Sequence, residues 1–275
     1  MNKIKVLYIS QKIDPYIEDG QMSQISRYLP QWIQEQGKEI RTFMPRFGCI
    51  NERRFQLHEV IRLSGMNLII NDTDHPLIIK VASIQAARMQ VYFIDNEEYF
   101  QRKTIFADER ARFHKDNDER MIFFCRGVIE TVKKLGWAPD IVHCHGWMTS
   151  LIPYYLKKVF NDNPVFANSR VITSIYNEDF SDTINKNMLK KMEVQDDSSP
   201  IFDHLKNVSF DNLNKFAIDM SDAVIAGTEV ISPVLKKYLK STDKPQLEYQ
   251  GGENYANAYS DFYDELLLCE PVLVG

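Results

Sequence analysis

Apolar residues along the chain switch between two spacings, and the switching predicts a fold. Lys3–Ile9 tends towards a continuous apolar run, as a strand buried on both faces requires. A polar loop with Asp14, Pro15 and Gly20 follows, then helical spacing to about Gln36, where Gly37 offers a C-terminal cap. Glu39–Met44 returns to strand character and completes a βαβ unit, whose default crossover is right-handed.

Between Arg54 and Ile94, turn residues separate the short segments Glu59–Leu63, Leu68–Ile70, Leu77–Ala82 and Val91–Ile94, all rich in β-formers. They predict a small inserted β-region that returns to the sheet. Asp118–Leu135 carries Met121, Phe124, Val128, Val132 and Leu135 at helical spacing, stops at Gly136 and feeds a strand at Asp140–His145. A strand at Arg170–Ile175, a helix around Leu213–Met220, a strand at Ala223–Ala226 and a helix at Val230–Leu239 extend the alternation.

The polar stretches Asp179–Ser199 and Ser241–Asn254 read as mobile loop and linker. Tyr255–Leu268 reads as an amphipathic helix with a stripe of Tyr255, Ala258, Tyr259, Phe262 and Leu266. The expectation is an α/β fold: one Rossmann-like, doubly wound domain with a mostly parallel sheet over residues 1–240. Residues 241–275 would be a linker and a terminal helix packed back on that domain.

Composition narrows the partners. The 275 residues, 44% of them hydrophobic, suffice for one large core. A formal net charge of -5 gives no broad basic field, which argues against nucleic acid. Every apolar segment falls short of the roughly 20 residues that cross a bilayer, and Met1–Ser10 reads as a first strand rather than a leader. Cys49, Cys125, Cys144 and Cys269 stand singly, as reduced thiols in the cytoplasm would.

Five segments carry a resemblance. Pro15–Ile25 (PYIEDGQMSQI) sits after the first strand, where glycogen and starch synthases carry P-F/Y-x-K-T-G-G-L-x-D-V. Asp118–Arg126 is similar to that family's D-x-x-R-F-x-F-F-C/S-R helix, and Pro139–Trp147 (PDIVHCHGW) resembles its P-D-I-V/I-H-x-H-D-W strand end. Ile175-Tyr176-Asn177 stands where the family has I-H-N, and Asp222-Ala223-Val224 fits its A-D-x-V strand.

The resemblance implies the N-terminal, acceptor-side half of a two-domain GT-B-type glucosyltransferase that moves glucose from ADP-glucose to an α-1,4-glucan with retention. The donor half would be missing from this chain. It also implies three lost catalytic groups. The loop lysine that supports the donor phosphates corresponds to Glu18, the H-D-W aspartate to Gly146 and the I-H-N histidine to Tyr176. Gln21 replaces the second loop glycine, and Gly20, Gln21, His145, Trp147 and Asn177 are the candidate substrate contacts.

A positioned polar group at a transition state is worth about two to three powers of ten in rate, so the chain alone would be inactive or strongly impaired. The implied partners are an α-glucan or maltooligosaccharide, and a protein at the missing-domain face. Glu18 argues against ADP-glucose, and no cofactor is implied.

Several residues keep two readings. His143 and His145 point to one strand face and could join a metal if a third ligand arrived; alternatively His143 is a satisfied core histidine and His145 lines the cleft. Trp147 could stack on a sugar or anchor packing. Asp19–Gly20 could cap the helix or receive an anion.

Overall fold

The computed structural model describes residues 3–268 apart from 179, 181, 195 and 253, so Cys269 and part of the expected loop lie outside the described residues. The strands are β1 (Lys5–Ser10), β2 (Glu39–Pro45), β3 (His58–Glu59), β4 (Met66–Ile70), β5 (Thr73–Ile84), β6 (Met89–Asp95), β7 (Ile141–His145), β8 (Arg170–Ile175), β9 (Ala223–Ala226) and β10 (Gln246–Leu247). Their order is β10-β9-β8-β7-β1-β2-β6-β5-β3, with β4 paired to β5. From β10 to β6 all neighbours run parallel; β5 pairs antiparallel with β6, β3 and β4, which forms the inserted β-region.

Alternation along the central strands divides two cores. In β1, Val6 and Tyr8 face one side and Leu7 and Ile9 the other, all of them buried. Helix α1 (Gly20–Glu35) covers the first side with Met22, Ile25, Leu29 and Ile33, and Gly37 at φ +92 ends its run. Helix α2 (Asn117–Leu135) covers the other with Phe123, Phe124, Val128 and Val132, and stops at Gly136, φ +59. Helix α3 (Phe210–Met220) joins that second layer through Leu213 and Phe216.

Helix α4 (Pro233–Leu239) begins three residues later than its spacing suggests. Pro233 disfavours helical backbone in the residue before it and suits the first helical position, and Ser232 Oγ caps the N–H of Leu235 at 3.1 Å. The stretch expected as linker contributes β10, which covers the outer edge of β9. Within the expected loop, Lys191 on a short helix (Met188–Lys191) is buried with Nζ 2.7 Å from both Asp118 and Glu119.

Helix α5 (Tyr255–Leu268) lies on the α1 side of the sheet. Tyr259 and Tyr263 are buried against Tyr8, Ile141 and Ile172, and Lys38 Nζ ties the helix down at Ser260 Oγ, 2.9 Å, and Asp264 Oδ2, 3.1 Å.

Candidate functional site at the carboxyl edge of the sheet

β1 separates the strands that continue through β2 from those that continue through β7, so the topology reverses between β1 and β7. Open α/β sheets form their ligand crevice outside the carboxyl ends of the strands at such a point. Two glycines flank it. Gly20 opens α1 at φ +73, and Gly146 follows β7 at φ +86, a conformation that side chains rarely adopt.

Three charges meet in front of Gly20. Lys12, just beyond β1 and 7% exposed, places Nζ 2.5 Å from Asp19 Oδ2 and 2.8 Å from Glu178 Oε2. Burial opposes the ammonium charge, but the hydrogen bonds to the two carboxylates outweigh it and raise the Lys12 pKa above its ordinary value. A Cβ on Gly20 would sit 3.2 Å from Glu178 Oε1, so Glu178 reaches across the start of the helix. The cation at this helix N-terminus is thus already paired, and Glu18 stands exposed beside it.

Gln11 fills the space beside Gly146. Its Oε1 accepts from the N–H of Met148 at 3.2 Å, its own N–H donates to the carbonyl of His145 at 3.1 Å, and its Nε2 lies 3.4 Å from Glu178 Oε2. A Cβ on Gly146 would meet Gln11 Oε1 at 2.7 Å and Met22 Cε at 2.9 Å.

Behind these groups lies a buried histidine and tyrosine layer. His143 Nδ1 pairs with Tyr263 Oη at 2.6 Å and its Nε2 with Ser174 Oγ at 2.7 Å. His145 Nδ1 pairs with Tyr176 Oη at 2.7 Å, and its ring lies 3.9 Å from that of His143, tilted by 40°. Burial pushes the His145 pKa down to about 3 and that of His143 well below the usual range, so both rings are neutral at pH 7. Tyr176, only 3% exposed, needs Gly227 opposite it: a Cβ there would approach its Cε1 to 2.5 Å.

Trp147 is 3% exposed and packs against Phe106 at 4.8 Å, Phe180 at 5.1 Å and Phe113 at 5.8 Å between ring centroids. These aromatics wall a hollow of about 450 Å³ whose rim carries Gln11, Lys12, Asp19 and Glu178. Gly20, His145, Trp147, Gly146 and Tyr176 therefore gather at one edge. Gln21 turns aside, its Nε2 donating to Tyr249 Oη at 2.9 Å, and Asn177 is exposed at the end of β8. Among the described residues no group of three His, Cys, Asp or Glu side chains could hold a metal ion. No described helix is long and apolar enough to cross a membrane.

The motif reading missed Gln11, Lys12 and Glu178. Lys12 carried a signal, since it lies two residues beyond a strand at the crevice edge. Glu178 meets it only through a contact 166 residues long in sequence.

A parallel sheet with glycine turns at its switch point, walled by aromatics, has the architecture of one half of a GT-B glycosyltransferase. The comparisons specify it further: residues 5–237 match the model of the starch synthase catalytic domain, and the chain belongs to that family. Glycogen synthase of Chlorobium limicola is 35% identical over 206 residues, 74% of this chain and 42% of that protein. Glycogen synthase of Chlorobium phaeobacteroides is 39% identical over 174 residues, 63% of this chain and 36% of that protein. The chain thus spans less than half the length of the curated relatives it matches. The catalytic domain of starch synthase IV from Arabidopsis thaliana, solved bound to ADP and acarbose, shares the fold with a TM-score of 0.74 at 18% identity, covering 91% of this chain and 52% of that one.

Proposed function

We propose that this chain is a cytoplasmic member of the glycogen and starch synthase family whose half-cleft does not transfer glucose by itself and serves glucan or partner binding. The observation that carries the proposal is the state of Lys12. In the relatives the corresponding edge would meet a donor diphosphate; here the ammonium in front of α1 is held by Asp19 and Glu178. A phosphate arriving there would meet an ammonium already neutralised by the two carboxylates of Asp19 and Glu178, so little positive charge is left to draw it in.

Two further features support the reading. Gly146 supplies no carboxylate and Gln11 occupies its space, while the Tyr176 hydroxyl is turned inward onto His145. Partner binding draws support from Val230 and Val234, 65% and 48% exposed beyond the carboxyl end of β9.

Site-resolved NMR titration tests the proposal. Maltoheptaose should shift amides around the aromatic hollow, whereas ADP-glucose at millimolar concentration should leave Gly20 and Gly146 unmoved. Saturable ADP-glucose shifts at both glycines would overturn it. Shifts that require a second polypeptide carrying a nucleotide-binding half would instead assign the chain to a split transferase.

A further inference from the structure

The overall charge of -5 hides an opposite local excess at the other end of the strands. An open hollow of about 740 Å³ lies at the amino edge of the sheet, where Glu39–Arg41 begin β2, Gln90 and Tyr92 lie early in β6, and antiparallel β5 ends near Ser83. Lys3, Lys38, Arg41 and Arg88 line it, against one lining carboxylate, Glu39. Four cations from three parts of the chain thus converge far from the Gly20 crevice.

The central cation is held ready. Arg41 is half-buried, its Nη1 donates to Tyr92 Oη at 2.9 Å, and its guanidinium carbon lies 5.1 Å from the Trp137 ring and 5.9 Å from the Tyr92 ring. Aromatic backing fixes the guanidinium plane and reduces the entropy lost when it grips an oxyanion. Two carboxylates offset part of this charge, Glu39 on the wall and Asp264, which is paired to the site's own Lys38, so four cations face two anions. Glu39 Oε1 accepts from Trp137 Nε1 at 2.5 Å, and Asp264 lies 3.1 Å from Lys38 Nζ.

The turn that carries Arg88 is held through its backbone. Its N–H donates to the carbonyl of Gln85 at 3.1 Å and its carbonyl accepts from Gln34 Nε2 at 3.5 Å, which ties its turn to the end of α1. The carbonyl end of α1 contributes about half a negative charge, less than the excess of cations. Ser83 and Gln90 add neutral donors on the same wall.

We infer that this hollow is a binding site for a small phosphate-bearing ligand, distinct from the cleft at the carboxyl edge. Arginine forks match phosphate oxygens in pairs, and the hollow lies within the size range of small-molecule sites. Lys38 links the site to α5, because a phosphate drawing on its ammonium competes with Asp264.

Calorimetric titration with inorganic pyrophosphate, at ionic strength held constant with sodium chloride, tests the site. Saturable binding is expected, weakened at least tenfold by Arg41→Gln and by Arg88→Glu. The exposed Lys190→Glu, remote from the hollow, and Lys12→Met in the cleft should bind as the parent does. Arg88 is itself exposed, so its substitution separates lost binding from lost folding. Absence of saturable heat, equal weakening by Lys190→Glu, or loss through Lys12→Met alone would each overturn the inference.

Discussion

The side-chain amide of Gln11 occupies the volume that any side chain at residue 146 would need: a Cβ on Gly146 would lie 2.7 Å from Gln11 Oε1 and 2.8 Å from its Cδ. The two positions are sterically coupled. A glycine at φ +86 permits the approach, and the glutamine hydrogen-bonds the loop that follows.

Gly146→Asp, which puts an aspartate where the resembled motif carries one, should therefore destabilise the fold. Backbone strain of about 1 to 3 kcal/mol, because φ +86 with ψ 162 is a conformation essentially confined to glycine, adds to the clash with Gln11, which costs about 1 to 3 kcal/mol more. Gln11→Ala in the same chain should relieve part of that loss, because contacting sites couple. Urea denaturation of the single and double variants measures it; strictly additive effects would refute the coupling.

Lys12→Met should cost about 2 kcal/mol. The ammonium is buried and its loss leaves Glu178 half-buried and unpaired, while the exposed Asp19 is compensated by water. Glu178→Gln added to Lys12→Met should recover stability. The same denaturation series checks this, and a double variant weaker than Lys12→Met would contradict it.

The histidine layer sets an acid limit. Both folded-state pKa values are depressed by burial, to about 3 for His145 and well below 6.5 for His143. Below pH 6.5 the unfolded chain binds protons that the folded chain refuses, so stability present above that value is lost as pH falls. For His145 the loss should reach about 1 kcal/mol per pH unit between pH 6 and 4, and His143 adds a loss of the same sign. Melting temperature against pH, compared with a His145→Gln variant of shallower slope, reads the effect; equal slopes would remove the assignment.

Tyr263 connects the terminal helix to the sheet through His143. Tyr263→Phe preserves the ring but leaves a buried nitrogen unpaired, at a cost of about 1 to 3 kcal/mol. Hydrogen exchange should quicken across Tyr255–Leu268 more than across α2. Unchanged protection of that helix would show that apolar packing alone holds it.

Much of the sheet was legible because its strands are buried on both faces, which leaves continuous apolar runs. Arg170–Ile175 and Ala223–Ala226 keep the limits that their spacing suggests. β10 was not legible: Gln246 and Leu247 look like linker, and their strand character comes from the open edge of β9. The helical stripe omitted Tyr263, whose side chain is the fully buried one that meets His143. At the crevice, Gly146 and Tyr176 could be read from motif position. What surrounds them could not, since Gln11 reaches Met148 and Glu178 across sequence separations of 137 and 167 residues.

Glucosyl transfer from radiolabelled ADP-glucose to maltoheptaose by the purified 275-residue chain measures most directly whether this half-cleft works alone. No label above the protein-free background should enter the glucan, at any donor concentration. Repeated turnover by the wild-type chain, abolished by a substitution at Lys12 or Tyr176, would contradict that expectation.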